Sequence, residues 1–438
     1  MVREAAQEEP AARDVLAQVH REEHPRLLAT LVHRFGDLEL AEDAAQEAME
    51  AALRTWPERG VPQQPLAWLI TTARRAALDR VRRDATYARR LAELHLQQDR
   101  PAAPQDPAAP ADASLLAGQD MPDDRLAMLM SCCHPALAPA DRIALMLRFV
   151  GALSTAEVAA ALLVPVPTMA ARLTRAKQRL RTHRIRLSVP EDPRERARRL
   201  PLVLTAISLV FTEGYAATSG EAPIRRELTG EAIRLARIVH RLVPSAAEPQ
   251  GLLALLLLTE ARSPAREDAE GVPIALEDQD RSRWDREALT EGLALVAEAA
   301  GREDAARFTV QAAIAAVHAE TDRFEDTDWA QIGALYSLLL RHGEDPVVRM
   351  NRAIALGRRD GPEHGLALLE ELADEPGLAG HHPYHVALAL FLTEAGRPAQ
   401  AAPAWERALD LASNSAERRF IERRRDATPD ASGGILGR

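Results

Sequence analysis

The sequence predicts an all-α protein made of several helical domains, and three observations carry that prediction. Aromatic residues are only 4% of the chain, whereas strands draw heavily on aromatic and β-branched side chains. Alanine and leucine, both strong helix formers, dominate the composition. Apolar residues recur at helical spacing wherever proline or glycine does not interrupt them. At 438 residues the chain is also too long for one ordinary core.

The first block is expected over residues 12–97. Its opening segment, Val15–Phe35, is helical in pattern with a kink or break at Pro25, and Gly36 stops it as a helix cap would. Leu40–Leu53 follows, with Ala44, Ala45, Ala48, Ala52 and Leu53 expected on its inner side. Glu42, Asp43, Gln46, Glu47 and Glu50 lie on the other face. The segment 55–65, TWPERGVPQQP, reads as a loop because it holds three prolines and a glycine. Leu66–Arg83 is the next helix and becomes basic along its length. Residues 98–120, with four prolines within ten positions, read as a flexible linker.

The second block, 121–187, holds the most specific local pattern. Ser154 is a good helix N-cap and Glu157 stands three residues on, which is the capping-box spacing. Val158, Ala159 and Leu162 form an apolar face. Val164-Pro165-Val166-Pro167 then breaks the helix. A second helix from Thr168 places Met169, Leu173, Ala176 and Leu180 inward, and Thr168, Ala171, Arg172, Arg175 and Arg179 outward. Two short helices around a four-residue break, the second one basic, make a helix-turn-helix, as opposed to a plain αα-hairpin.

Charge points the same way once it is divided along the chain. The net charge is −10. Residues 1–200 hold 29 Arg and Lys against 27 Asp and Glu, and residues 201–438 hold 26 against 38. Seven arginines fall within 74–90, and seven basic residues with no acid fall within 172–186. One such run is usually a solvated helix face. Two of them in one half of an acidic chain favour nucleic-acid contact.

These pieces resemble the bacterial RNA polymerase sigma factors of the extracytoplasmic-function (ECF) group. DLELAEDAAQEAMEAAL (37–53) looks like their helix that docks on polymerase. PLAWLITTARRAALDRVRR (65–83) looks like the helix after the promoter-melting loop. LSTAEVAAALLVPVPTMAARLTRAKQRLR (153–181) looks like the helix-turn-helix that reads the upstream (−35) element. FTEGYAATSG (211–220), LEDQDRSRWD (276–285), FTVQAAIAAVHAE (308–320) and TDWAQIGALYSLLL (327–340) look like the long tetratricopeptide-like C-terminal extension of one ECF subgroup. Ala355 and Ala389 lie 34 residues apart, as do Ala367 and Ala401, and 34 is the period of that repeat. Trp405 and Ala408 follow Ala401 by four and seven. The extension is expected as a helical domain at 194–325 followed by tetratricopeptide-like repeats at 326–426.

The resemblance implies two small sigma domains and a C-terminal helical solenoid. It implies core RNA polymerase and promoter DNA as partners, a protein or intramolecular partner for the C-terminal domain, and a role in transcription initiation that the C-terminal domain modulates. Core polymerase would meet Glu42, Asp43, Gln46 and Glu47, because opposite charge steers a basic partner helix. The downstream (−10) element would meet Arg74, Arg75, Arg80, Arg82 and Arg83 on its phosphates. Trp56 either stacks on an unpaired base or packs beneath its loop, and Trp68 is expected in the core. The upstream element would meet Thr168, Ala170, Ala171, Arg172, Arg175, Lys177 and Arg179, with Arg172 as the guanine reader. Arg75, where many members carry Asn, and Pro167, where Gly is common, depart from the family pattern.

The alternative is a helix-turn-helix regulator that binds DNA without joining the polymerase. Enzymatic chemistry is not expected, for want of a nucleophile–base or metal constellation. No metal or other cofactor is expected either. Cys132 and Cys133 are adjacent, which suits neither a disulfide nor a zinc site, and they read as small core residues. The longest apolar runs, near 200–211 and 251–259, fall short of the roughly 18–20 residues of a membrane span. With a charged N-terminus that lacks an apolar signal core, the chain is expected in the cytoplasm with no membrane partner.

Overall fold

The computed structural model describes residues 15–16, 19, 23–95, 124–151, 153–162, 164–182, 192–215, 224–412 and 414–427. The expected linker, 98–120, lies outside the described residues. Apart from one isolated bridge between Glu267 and Pro273, the described residues contain helices, turns and loops only. The protein is all-α. It divides into two compact units, Met1–Ala206 and Ile207–Arg438.

In the first unit, the described residues 23–35 are helical (α1), with Pro25 among them. Gly36 ends it with φ +68°, and its N–H bonds to the Val32 carbonyl at 2.8 Å. That left-handed backbone is the reason for glycine at this position. Asp37 then caps α2 (Leu38–Arg59), accepting from the N–H groups of Glu39 at 2.9 Å and Leu40 at 3.1 Å. Ala41, Ala44, Ala45, Ala48, Ala52 and Trp56 form its buried face. Two expectations change here. Leu53 is 48% exposed, because the buried positions recur at every third or fourth residue and carry the face from Ala52 to Trp56. The expected loop at 55–65 shrinks to 60–64, because α2 continues through Pro57 to Gly60, whose φ of +78° turns the chain. After α3 (Pro65–His95) and the undescribed segment come α4 (Asp124–Cys132), α5 (Pro139–Phe149), α6 (Thr155–Ala161) and α7 (Val166–Thr182).

The boundary between the units falls inside α8 (Pro193–Tyr215), beyond the proline-rich break at 188–193. In the second unit, α9 (Arg226–Leu242) leads to α10 (Ala247–Glu260), whose apolar run packs against α9, α11 (Arg286–Ala300) and α12 (Arg307–Ala319). The carboxylate of Glu248 on α10 caps α12 by accepting from the N–H groups of Ala306, Phe308 and Thr309 at 3.0, 2.9 and 3.1 Å. Asp304 returns the favour by accepting from Ala247 at 2.9 Å.

The remaining helices are α13 (Trp329–Leu339), α14 (Pro346–Asp360), α15 (Pro362–Glu370), α16 (His382–Glu394), α17 (Pro398–Leu411) and α18 (Ser415–Asp426). One apolar cluster joins Val310, Ile314 and Val317 of α12 to Ile332, Leu339, Val348 and Ala355, so packing runs straight through position 325. Helices α14–α15 and α16–α17 form hairpins. Ala355 and Ala389 are both buried, as repeat-equivalent positions should be. Ala367 and Ala401 do not match, since Ala367 is exposed and Ala401 is buried. On α15 the closest approach is made by Gly365 instead. A Cβ at Gly357 would come within 2.7 Å of the Gly365 Cα and 2.6 Å of the Phe391 ring.

Candidate nucleic-acid interface

The helix-turn-helix is built from local signals. Ser154 and Glu157 form a reciprocal capping box: Ser154 N–H donates to the Glu157 carboxylate at 2.6 Å and Glu157 N–H to the Ser154 hydroxyl at 3.2 Å. Helices α6 and α7 are bent by 105° from one another, within the usual range of the motif. Val158 and Ala159 of α6 and Met169, Leu173, Ala176 and Leu180 of α7 are buried. The opposite face of α7 is thereby presented outward, with Thr168, Ala170, Ala171, Arg175 and Arg179 exposed.

Arg172 and Lys177 are placed differently from their neighbours. The Arg172 side chain is 24% exposed and lies 3.9 Å from Asp141 of α5. Arg179 pairs with the same carboxylate at 2.8 Å. Asp141 had no distinguishing mark in the sequence beyond being an acid in a first helical turn. Lys177 donates to Glu42 of α2 at 2.9 Å, and Arg181 to Glu39 at 2.9 Å.

Two of the α2 acids face α3. Arg80 reaches Asp43 at 2.6 Å and Glu47 at 3.9 Å. Gln46 donates to Glu50 at 3.2 Å. Of the α3 arginines expected on phosphates, Arg80 is therefore engaged within the domain. Arg75, Arg82 and Arg83 are exposed and Arg74 is half-buried. Leu53 shares the outer face of α2 with Gln46 and Glu50, seven and three residues before it, a phase that the sequence did carry.

Trp56 takes the second of its two expected places, and Trp68 is less buried than a core residue. Trp56 is 2% exposed and packs beneath the loop, while Trp68 is half-buried and meets it edge-on with ring centroids 5.6 Å apart. From that position Trp56 has no face free for a base. Trp68, beside the 60–64 loop, keeps part of its ring accessible.

Behind α7 the domain is apolar. Cys132 and Cys133 are each 1% exposed, and the Cys133 Sγ lies 3.3 Å from the Met146 sulfur. Burial pushes the Cys133 thiol up to about 12 and raises Cys132 as well, so both are protonated packing groups. The charged cluster at 278–285 is likewise absorbed by structure. Asp285 caps α11, Asp278 pairs with Arg424 at 2.7 Å, and Arg281 lies over Trp284 while donating to the carbonyls of His318 and Thr321 at 2.7 and 2.6 Å.

Comparison with known proteins assigns these regions. Residues 19–86 match Sigma-70 region 2 and residues 127–180 match Sigma-70, region 4. Residues 199–300 match a family of unknown function, DUF6596. An uncharacterized protein of Rhizobium meliloti (strain 1021) is 41% identical over 402 residues, covering 92% of this chain and 93% of its own length. No solved structure matches the chain.

Proposed function

The chain belongs to the sigma-70 family, with regions 2 and 4 of the ECF type and a helical C-terminal extension, and from that premise we propose that it joins core RNA polymerase through α2 and directs it to promoters. A role in promoter recognition follows from the family. The observation that carries the finer reading is the pairing of region 2 with a helix-turn-helix whose second helix turns Thr168, Ala171, Arg175 and Arg179 outward. Base edges are read by the first turns of such a helix and phosphates by its later cations. Arg175 and, once released from Asp141, Arg172 are the base readers in this account. Lys177, Arg179 and Arg181 hold the backbone. In region 2, Arg74, Arg75, Arg82 and Arg83 hold the melted strand, and Trp68 supplies a stacking face.

Polymerase contact is supported by the outer face of α2, where Gln46, Glu47, Glu50 and the exposed Leu53 stand together. An apolar group ringed by acids suits a basic partner helix. No single described helix is long and apolar enough to cross a membrane. Work on polymerase places the protein in the cytoplasm.

The second unit is proposed to modulate initiation. Its acidity is unsuited to DNA, and its helical hairpins leave an apolar cavity of about 260 Å³ among Ile354, Val386, Leu390 and Phe420 that a protein partner's side chain would fit.

The test is run-off transcription with core polymerase, using the full chain and a chain ended after Tyr215, which retains all of α8. Transcripts that require the protein, and a change in yield or regulation on truncation, are expected. DNA binding without any transcript would favour a regulator acting outside the polymerase. Identical behaviour of the two chains would remove the modulating role.

A further inference from the structure

Building on the sigma-factor reading, we propose that the outer ridge of α7 reads thymine by its C5-methyl group, so that the upstream element this chain selects carries thymines opposite Val166, Ala171 and Thr174. Helical phase places the ridge. Met169, Leu173, Ala176 and Leu180 are the buried line of α7. At about 100° per residue the line opposite them runs through Pro167, Ala171, Thr174 and Gln178, and all four are exposed. None of the four is charged. Arg175 borders the ridge. Arg172 and Arg179 lie round one flank, towards Asp141, and Lys177 and Arg181 lie round the other.

The chemistry of this ridge is narrow. The side chains of Pro167 and Ala171 present only carbon. The Thr174 hydroxyl donates to the Ala170 carbonyl of its own helix at 3.0 Å, which leaves the methyl as the free group of that side chain. At the leading end of α7, Val166 is 47% exposed, an aliphatic group that folding leaves in water. Guanine, cytosine and adenine edges in the major groove offer donors and acceptors that such carbon groups cannot answer, whereas thymine alone offers a methyl. Cations on both flanks of an uncharged ridge suit the two phosphate walls of one groove, with the ridge held to the bases between them. Burying one methyl group is worth about four-fold in affinity.

The experiment uses the full-length protein with core polymerase to select duplexes from a randomised library. Selected duplexes are then resynthesised with deoxyuridine at single thymines, which removes the methyl and keeps the pairing edge, and affinity is read by fluorescence anisotropy. At upstream thymines the replacement is expected to lower affinity about four-fold. Thr174→Ser deletes the methyl and keeps the hydroxyl that bonds to Ala170, and it should erase that loss at one thymine. Val166→Ala should erase it at another. Thr174→Val keeps the methyl and should keep the loss, which separates the methyl from any general disturbance of α7.

Equal affinity for thymine and uracil at every upstream position overturns the proposal. So does a loss that Thr174→Ser and Val166→Ala both leave unchanged, since the methyl would then be met by another group. A protein that selects no sequence beyond core polymerase alone defeats the sigma reading itself, whereas selection without methyl dependence defeats this proposal alone.

Discussion

Arg199, at the start of the extension, donates to the backbone carbonyl of Met130 in region 4 at 2.7 Å and is only 6% exposed. It also pairs with Glu195 one turn earlier on α8. A charged donor to a buried carbonyl contributes about 1.5–3 kcal/mol, and its loss leaves the acceptor unpaired. Arg199→Ala is expected to cost about 2 kcal/mol in the first unit, measured by urea denaturation. For the same reason a chain ended at Leu187 should melt lower than one ended at Tyr215. Equal melting of those two chains would show that α8 adds nothing to region 4.

The tryptophan pair separates stability from function. Trp56→Ala removes a ring that is 2% exposed and should cost about 3–5 kcal/mol. Trp68→Ala removes a half-buried ring and should cost much less, while lowering the yield of melted promoter seen by permanganate footprinting. Full melting by the Trp68 variant would leave the −10 strand to the arginines alone.

Much of this was legible in the sequence, and the part that was not has a physical cause. The helix-turn-helix could be read because its signals are local: a capping box, a proline break, and a period that buries Met169, Leu173, Ala176 and Leu180. The acidic face of α2 was equally plain. What escaped was pairing over distance. Nothing in the spacing of Asp141 announces that it holds Arg172 and Arg179, and nothing near Lys177 announces Glu42, 135 residues away. Leu53 was misread by a smaller margin, and Trp56 was left between stacking and packing. Proline at 57 suggested a loop, and a helix that continues through it carries the buried face on to Trp56 and leaves Leu53 outside. In the extension the 34-residue offset held for Ala355 and Ala389 but failed at Ala367, because glycine at 365 moved the closest contact by two positions.

Leu53 offers a direct assay of the proposed polymerase surface. At 48% exposure its side chain contributes little to folding, so Leu53→Ser should change stability by no more than about 0.5 kcal/mol. Holoenzyme assembly should fall several-fold, because a desolvated aliphatic group at an interface centre is worth more than its polar rim. Native gel titration against core polymerase reads the effect, and unchanged assembly would move the contact off this face.

Asp141 is expected to restrain the reading helix. It holds Arg179 at 2.8 Å and lies 3.9 Å from Arg172. Asp141→Asn should free both guanidinium groups and raise affinity for any duplex, with a steeper salt dependence. Arg175→Ala, at an exposed position early on α7, should instead cost about 1–3 kcal/mol on a matched promoter and much less on a mismatched one. Equal losses on both would reassign Arg175 to the phosphates.

His318 makes the extension sensitive to acid. Burial, followed by the nearby charges of Arg262 and Arg281, pushes its imidazole down to about 4. The unfolded chain takes up a proton near the ordinary value of about 6.5, whereas the folded chain resists until about 4. Stability from this group is thus fully present above about pH 6.5 and is lost as the pH falls from there towards 4. At pH 5 the loss should be about 2 kcal/mol. Urea denaturation of the full chain at pH 7 and pH 5, followed through the second unit, measures it. His318→Asn, which cannot take up a proton, should flatten that slope while lowering stability at pH 7. An acid limb just as steep in the variant would place the sensitivity in other groups of the extension.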